Sequence, residues 1–165
     1  MVLLEHFYNF HLWHVEDQAR RKDVSDSVIA DCKRKVDKLN QLRNDCIEEV
    51  DKCLYAVLLP QLPQGATTRQ NTETVGMALD RLSILSLKIY HMEEQTRRED
   101  VNEEHLQTCS AKLAVLRRQR ADLIVAVMYL ISDYEQGNKT PVLYSQFKMY
   151  TDPAPIPQLY ARGAR

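Results

Sequence analysis

The chain has 165 residues, of which 44% are apolar and 27% are charged, and its formal net charge at pH 7 is −1. These values are typical of one folded domain with a core of its own. The balanced charge excludes a global basic field that would bind nucleic acid or an anionic membrane. Only four glycines and six prolines are present, which favours long helices over sheets.

The sequence lacks the patterns of an exported or membrane-spanning protein. The opening residues, MVLLEHFYNF, are interrupted by Glu5 and His6 and have no basic leader. The longest apolar run, residues 123–131, is too short to span a bilayer. We therefore expect a cytoplasmic protein whose cysteines are reduced and lie in the core, since no CxxC pair indicates a zinc site. The cysteines are Cys32, Cys46, Cys53 and Cys109.

Periodic apolar residues predict four helices. The first spans about residues 3–21, where an apolar stripe begins with Leu3, Phe7 and Phe10 and continues through His14 and Asp17. A cap at Ser25 or Asp26 precedes the second helix, residues 28–59. Its heptad seam contains one charged residue and is formed by Ile29, Cys32, Val36, Leu39, Arg43, Cys46, Val50, Cys53 and Val57.

The second half of the chain repeats this pattern after a loop over residues 60–72. The third helix begins near Thr72 or Thr74 and passes Met92. The fourth begins near residue 101 or 102 and stops at Gly137. Its heptad seam, again with one arginine, is formed by Leu106, Cys109, Leu113, Leu116, Arg120, Leu123, Val127, Leu130 and Tyr134.

These elements predict an all-α fold, a four-helix antiparallel bundle over residues 1–138. The remaining residues, 139–165, contain four prolines and three tyrosines and cannot form one helix. We expect them to form an extended strap that packs on the bundle or on a partner, because they keep several apolar side chains.

The third helix carries charge beside its core-facing side. Leu79, Leu82, Leu85, Ile89 and Met92 have helical spacing and need a core, and a second stripe lies next to them. Charged groups at a core edge are costly unless they are paired or bind a ligand. Because a mid-helix glycine costs about 1 kcal/mol against alanine, another helix or a ligand is expected to approach closely at Gly76. The second stripe consists of Asp80, Ile84, Lys88 and His91.

Polar residues on the first two helices suggest further sites. His11, His14 and Asp17 lie on one edge of the first helix, and with His91 and Glu94 of the third helix they form a possible set of metal ligands. A solvated helix end explains this spacing better. On the second helix, Asp37, Asn40 and Asn44 lie beside Arg43. A guanidinium in a seam requires a carboxylate or phosphate, and an ion pair with Asp17 or Asp80 that fixes the register is the favoured interpretation. The arginines near residue 118 have no interleaved aromatic residues, so nucleic-acid binding is disfavoured.

Four strings of this chain resemble a known bacterial family, catalogued as domain of unknown function 4254. They are NFHLWHVEDQAR, KVDKLNQLRNDCIEEVD, NTETVGMALDRLSILSLKIYHM and the closing IPQLY. The resemblance implies a cytoplasmic bacterial protein and carries no activity. The residues that match its motifs are Trp13, His14, Glu16, Asp17, Asp37, Asn40, Arg43, Asn44, Asp80, Arg81, Lys88 and His91.

Two functional hypotheses follow from the residues. In the first, a polar pocket inside the bundle binds a small anionic ligand bearing phosphate or carboxylate through Asp37, Asn40, Arg43, Asn44, Arg81 and Lys88. His14, Asp17, Asp80 and His91 are then the candidates for acid–base work, and no cofactor is assigned. In the second, the charged set only fixes the register, and exposed apolar surface forms a homodimer or a partner interface, with no nucleic acid or membrane involved. A cavity at the polar residues favours the first, and tight pairing with an exposed apolar face favours the second.

Overall fold

Four α-helices and one short 3-10 turn form the part of the chain that the structure, a computed structural model, describes, residues 1–145. No strand occurs within this range, so the predicted all-α class is confirmed. The elements are α1 Val2–Ala19, α2 Asp26–Leu58, the 3-10 turn Leu59–Gln61, α3 Val75–Thr96 and α4 Glu103–Glu135.

The helix ends follow the local sequence signals. The Thr74 side chain accepts a hydrogen bond from the backbone N–H of Met77 at 3.2 Å and caps α3. Asn102 caps α4 in the same way. Gly137 has a φ of +72°, which glycine adopts without strain, and it lies just beyond the end of α4. The predicted bounds are therefore correct to within two or three residues.

Contacts between helices establish an antiparallel bundle. Asp80 of α3 meets the first half of α1 and the middle of α2, and Trp13 stacks on His91 at the other end of these helices. Hence α1 and α3 run in one direction and α2 in the other. Helix α4 runs against α3, because Arg117 lies beside Glu93. At the opposite end Val75, Ala78, Val127, Leu130 and Tyr134 form a shared core.

Helices α2 and α3 approach each other closely at Gly76. A Cβ atom at this position would lie 2.8 Å from the Ile47 carbonyl oxygen and 2.7 Å from Oδ1 of Asp51. The predicted close approach is confirmed, and the neighbour is a helix, but Gly76 is the second residue of α3 and does not lie in mid-helix as the sequence suggested.

Helix α1 is oriented differently from the prediction. The stripe that begins with Leu3, Phe7 and Phe10 lies on the outer surface of the bundle. These three residues are 86%, 51% and 41% exposed, respectively. Glu5 and Asn9 are buried instead. The reason is that the facing surface of α2 and α3 is itself polar, so hydrogen-bonding side chains fit it and phenyl rings do not.

The predicted seam of α2 is also wrong at its C-terminal end. Cys53 and Val57 are exposed, so Cys53 is not a core cysteine. Val50 is buried as predicted, and Ile47 and Asp51 are buried in place of the other two. A straight helix has 3.6 residues per turn, so a strict heptad pattern drifts off the buried face over several turns. In α4 the seam residue Arg120 is exposed, whereas Cys109, Leu113, Val127, Leu130 and Tyr134 are buried as predicted.

The beginning of the predicted strap lies along the loop before α3. The backbone N–H of Thr67 donates to the Gly137 carbonyl at 2.9 Å, and that of Thr140 donates to the Arg69 carbonyl at 2.9 Å. These bonds fix residues 137–140 against the loop. The rest of the predicted strap, residues 146–165, lies outside the described residues.

Candidate functional site: a buried charged cluster and two grooves

Three helices contribute to a buried cluster of polar side chains, named here the Asp80 cluster. It comprises Glu5 and Asn9 of α1, Arg43 of α2, and Asp80 and Ser83 of α3. The Asn9 amide donates to Oδ1 of Asp80 at 2.8 Å and to Oγ of Ser83 at 3.0 Å. The Arg43 guanidinium donates to Oδ1 of the Asn9 side chain at 3.5 Å, and its Nε lies 3.8 Å from Oδ1 of Asp80. The predicted ion pair between Arg43 and Asp80 is therefore present.

The cluster contains one cation and two carboxyl groups, and this imbalance has an electrostatic consequence. Glu5 is 0% exposed, and neither of its carboxyl oxygens receives a hydrogen bond from an N–H or hydroxyl donor. Burial above all, and then the neighbouring Asp80 carboxylate, raise the pKa of Glu5 to about 8, while Arg43 acts in the opposite direction. At neutral pH Glu5 is therefore a neutral acid that can donate a hydrogen bond to Asp80, and the net charge of the cluster stays near zero.

A second carboxylate, Asp51, connects α2 to the start of α3. Its Oδ2 accepts from the Thr74 hydroxyl at 2.5 Å, and its Oδ1 accepts from the Gly76 backbone N–H at 2.7 Å. Burial raises the pKa of Asp51, and the two hydrogen bonds partly offset that rise. A carboxylate at the N-terminus of a helix satisfies free backbone N–H groups, so this site has a structural explanation.

An open groove of about 780 Å³, named here the Trp13 groove, lies between α1, α3 and α4. Trp13 stacks on His91 in its wall, with ring centroids 4.6 Å apart and planes at 13°. Nδ1 of His91 lies 2.8 Å from Oε2 of Glu94. Asp17, Lys88 and Lys112 also line this groove, which mixes apolar and charged surface.

A second open groove, of about 910 Å³, lies between α3 and α4 and is named the α3/α4 groove. Lys88 and Gln119 line both grooves, so the two are adjacent. Arg81 lines the second groove, but its guanidinium donates to Glu73 at 2.6 Å. Neither groove is lined by any residue of the Asp80 cluster.

The structure thus divides the predicted site residues among several places. Arg43 and Asp80 meet in the Asp80 cluster, and Asn44 is buried on α2 with an amide nitrogen that lacks a partner. Asp17, Lys88 and His91 share the Trp13 groove. The side chain of Asp37 pairs with Lys33 of the same helix, Asn40 is half-buried on α2, and His14 is exposed.

The residues of the predicted metal set do not converge. Asp17 pairs with Arg20 at 3.4 Å, and His11 packs edge-on against Phe7. The rings of His14 and His91 are 6.0 Å apart. Within residues 1–145, no three His, Cys, Asp or Glu side chains are grouped closely enough to bind a metal ion.

Sequence reasoning missed three of the five residues of the Asp80 cluster, namely Glu5, Asn9 and Ser83. A signal was available, because Glu5 and Asn9 are spaced four apart within an otherwise apolar segment. Ser83 lies three residues after Asp80 on the same helix face. On α3 the most buried line runs through Asp80, Ser83 and Leu87, while Lys88 is exposed.

The fold and the cluster define an all-α bundle whose long helices are joined by buried charge. The model of the family described as a protein of unknown function, DUF4254, matches residues 1–142 of this chain. The chain therefore belongs to that family, as its motifs suggested. No curated protein and no solved structure matches the chain. Over residues 1–145, no helix has the length and apolar character needed to cross a bilayer.

Proposed function

We propose that this protein is an interaction module that associates with a second copy of itself through the outer face of α1. The observation that carries the proposal is the orientation of this helix, which buries Glu5 and Asn9 and exposes phenyl rings. Contiguous exposed apolar side chains of this kind are typical of interaction surfaces. The α1 face consists of Leu3, Leu4, Phe7 and Phe10, all of them exposed, and the terminal residues Met1 and Val2 are exposed at the same end of the helix.

The chemistry of the α1 face favours another protein surface over a lipid surface. Residues 2–19 contain no lysine or arginine, the side chains with which amphipathic helices bind anionic lipid. A stripe of leucine and phenylalanine at spacings of three and four is complementary to itself across a two-fold axis. A second copy is therefore the partner that this face fits.

In this proposal the Asp80 cluster keeps α1 in the orientation that exposes the α1 face. Turning the helix to bury Phe7 would bring Glu5 and Asn9 into water and leave Asp80 and Arg43 without their amide partner. A buried group that loses its hydrogen-bond partner in this way costs about 1–3 kcal/mol, which opposes such a turn. A register-fixing role explains why the polar residues pair with each other and do not line the grooves.

Sedimentation equilibrium of the purified chain tests the proposal. We expect twice the 19.2 kDa mass of one chain, and we expect Phe7→Glu to give the mass of one chain with an unchanged helix content. Val57→Glu, an equally exposed position on α2, serves as the matched control and should leave the dimer intact. A single-chain mass for the unmodified protein at every concentration would contradict the proposal.

A second candidate function, binding of a small anionic ligand, is supported by the Trp13 groove. Asp17, Lys88 and His91 come from two helices and line the same groove. Lys88 makes no ion pair within the described part of the chain and is therefore available to a phosphate or carboxylate. The stacked pair of Trp13 and His91 offers an aromatic face for a planar group.

Trp13 is the only tryptophan of the chain, so its fluorescence reports on this groove alone. Under the second candidate, uridine diphosphate quenches this fluorescence in a saturable manner and inorganic phosphate competes weakly. Lys88→Met should weaken the effect, and Lys35→Met, an exposed lysine of α2, should not. Quenching that is identical in the Lys88 variant and the unmodified protein would exclude this role for Lys88.

A further inference from the structure

The α3/α4 groove begins at the point where the described chain ends. Asn71, Glu73 and Thr74 line one end of this groove, and the same three residues line a small hollow that contains Tyr144. The Tyr144 hydroxyl donates to Oε1 of Gln70 at 3.1 Å. The twenty residues that follow Ser145 therefore start at the entrance of the groove.

An apolar strip runs along the groove and stands open to water. Ile84 and Leu85 of α3 form one side of the strip, and Leu123, Ala126 and Tyr129 of α4 form the other. Tyr129 is 69% exposed, although it is a large aromatic residue. Polar side chains and charged side chains of both signs line the rest of the groove. An exposed apolar strip of this kind is typical of a surface that binds a segment with apolar side chains.

The remaining sequence has the composition of such an occupant. Prolines at positions 153, 155 and 157 alternate with other residues, and Phe147, Tyr150, Ile156, Leu159 and Tyr160 supply apolar and aromatic surface. Proline-rich segments adopt an extended conformation without internal hydrogen bonds, and they bind in grooves lined by aromatic residues at a low entropic cost.

We propose that residues 146–160 bind in the α3/α4 groove of their own chain. The reach is sufficient, because the helix wall from Thr74 to Lys88 is about 21 Å long and an extended segment covers about 3.1 Å per residue. Seven or eight residues span this wall. The covalent connection at Ser145 raises the effective concentration of the segment at the groove above that of any second copy. This inference does not rest on the proposed dimer, which uses α1.

Photo-crosslinking in the full chain tests the inference. A benzophenone amino acid replaces Tyr150, and the adducts formed on irradiation are mapped by mass spectrometry in a mixture of ¹⁴N- and ¹⁵N-labelled chains. We expect adducts within one chain at residues of the groove, such as Leu85 or Tyr129. Adducts on the outer faces of α1 or α2, or adducts only between differently labelled chains, would overturn the inference.

Two alanines of α4 provide a matched pair of variants. Ala126 lines the groove, whereas Ala114 is exposed on the same helix and lines neither groove. In the Tyr150-labelled chain, Ala126→Glu should abolish the groove adducts and Ala114→Glu should leave their yield unchanged. Because both substitutions are at exposed helical positions, we expect each variant to fold, and circular dichroism checks this. Equal yields in the two variants would contradict the inference.

Discussion

A carboxyl group in the interior is the most consequential single residue of this protein. Glu5 has no exposed surface, and its nearest charged neighbours are Asp80 and Arg43. Burying an ionised carboxylate without a donor is costly, so the group is neutral in the folded chain at pH 7. Glu5 thus carries a buried proton next to Asp80, at the contact between α1 and α3.

This proton makes the free energy of unfolding depend on pH. The pKa of Glu5 rises from 4.5 to about 8 on folding, so the folded chain retains a proton that the unfolded chain loses between these values. The contribution of this proton to the free energy of unfolding is fully present below pH 4.5. It declines as pH rises to about 8, with a slope of up to about 1.4 kcal/mol per pH unit. Urea denaturation at pH values from 5 to 9 measures this decline.

The substitution Glu5→Gln removes the titrating group and keeps the shape and a hydrogen-bond donor. We expect the variant to lose the decline between pH 5 and 8 and to be more stable than the unmodified protein at pH 8. Glu99→Gln, in an exposed loop, is the control and should keep the decline. A wild-type free energy of unfolding that is constant over this pH range would contradict the burial of a protonated Glu5.

Gly76 is the second residue with a specific requirement. Alanine favours helix by about 1 kcal/mol over glycine, but its Cβ would overlap the Ile47 carbonyl, a backbone atom that cannot rotate away. We expect Gly76→Ala to lower the free energy of unfolding by about 2 kcal/mol, because overpacking forces α2 and α3 apart. Thermal denaturation measures the change, and Tyr90→Ala on the same helix serves as a control at an exposed position. A stabilised variant would refute the close contact.

At the scale of the elements, the Asp80 cluster joins α1, α2 and α3 through one carboxylate. Asp80 accepts from Asn9 and faces Arg43, so Asp80→Ala removes the partner of both. We expect a loss of about 3 kcal/mol in the free energy of unfolding, since the Arg43 guanidinium loses the carboxylate that faces it and the buried Asn9 amide loses an acceptor. The loss should be smaller when Arg43→Met is also present. A melting curve unchanged from wild type would refute the role of Asp80.

The elements themselves were predictable from the sequence, because caps and breakers act locally. Thr74, Asn102 and Gly137 mark helix ends through their own hydrogen bonds or backbone angle, and no distant residue is needed. The prediction of Asp80 beside Arg43 succeeded because a buried arginine needs a carboxylate. Only a few carboxylates, Asp17 and Asp80 among them, have a spacing that places them on a core-facing side of a helix.

The orientation of α1 was not predictable in this way. A helical stripe is normally assigned to the core by its apolar content, and on α1 that criterion selects Leu3, Phe7 and Phe10. The criterion fails here because the surface that α1 faces is polar, and the Asn9 amide donates to Asp80 and Ser83 on it. Asp17 and Lys88 were also expected near Arg43, but they lie in the Trp13 groove. Each is eight residues along its helix from the residue that contacts Arg43, which is about 12 Å by helical rise.

At the scale of the whole molecule, an apolar core is interrupted by the buried Asp80 cluster, and exposed apolar side chains lie on α1. The outer face of α1 and the α3/α4 groove are on separate helices, so each can have its own occupant. The two proposals assign a second copy to the first and residues 146–160 to the second. The proposed dimer depends on α1 binding the bundle through its polar side, whereas the groove inference depends on α3 and α4.

Hydroxyl-radical footprinting over a dilution series tests this orientation most directly. We expect Phe7 and Phe10 to be oxidised quickly in dilute protein, where the chains are separate. Their oxidation should become slower as the concentration rises and a second copy covers the α1 face. Tyr134, which is buried in the core, should react slowly at every concentration. Oxidation of Phe7 and Phe10 as slow as that of Tyr134 throughout the series would show that these rings face the interior of their own chain, and would contradict the account.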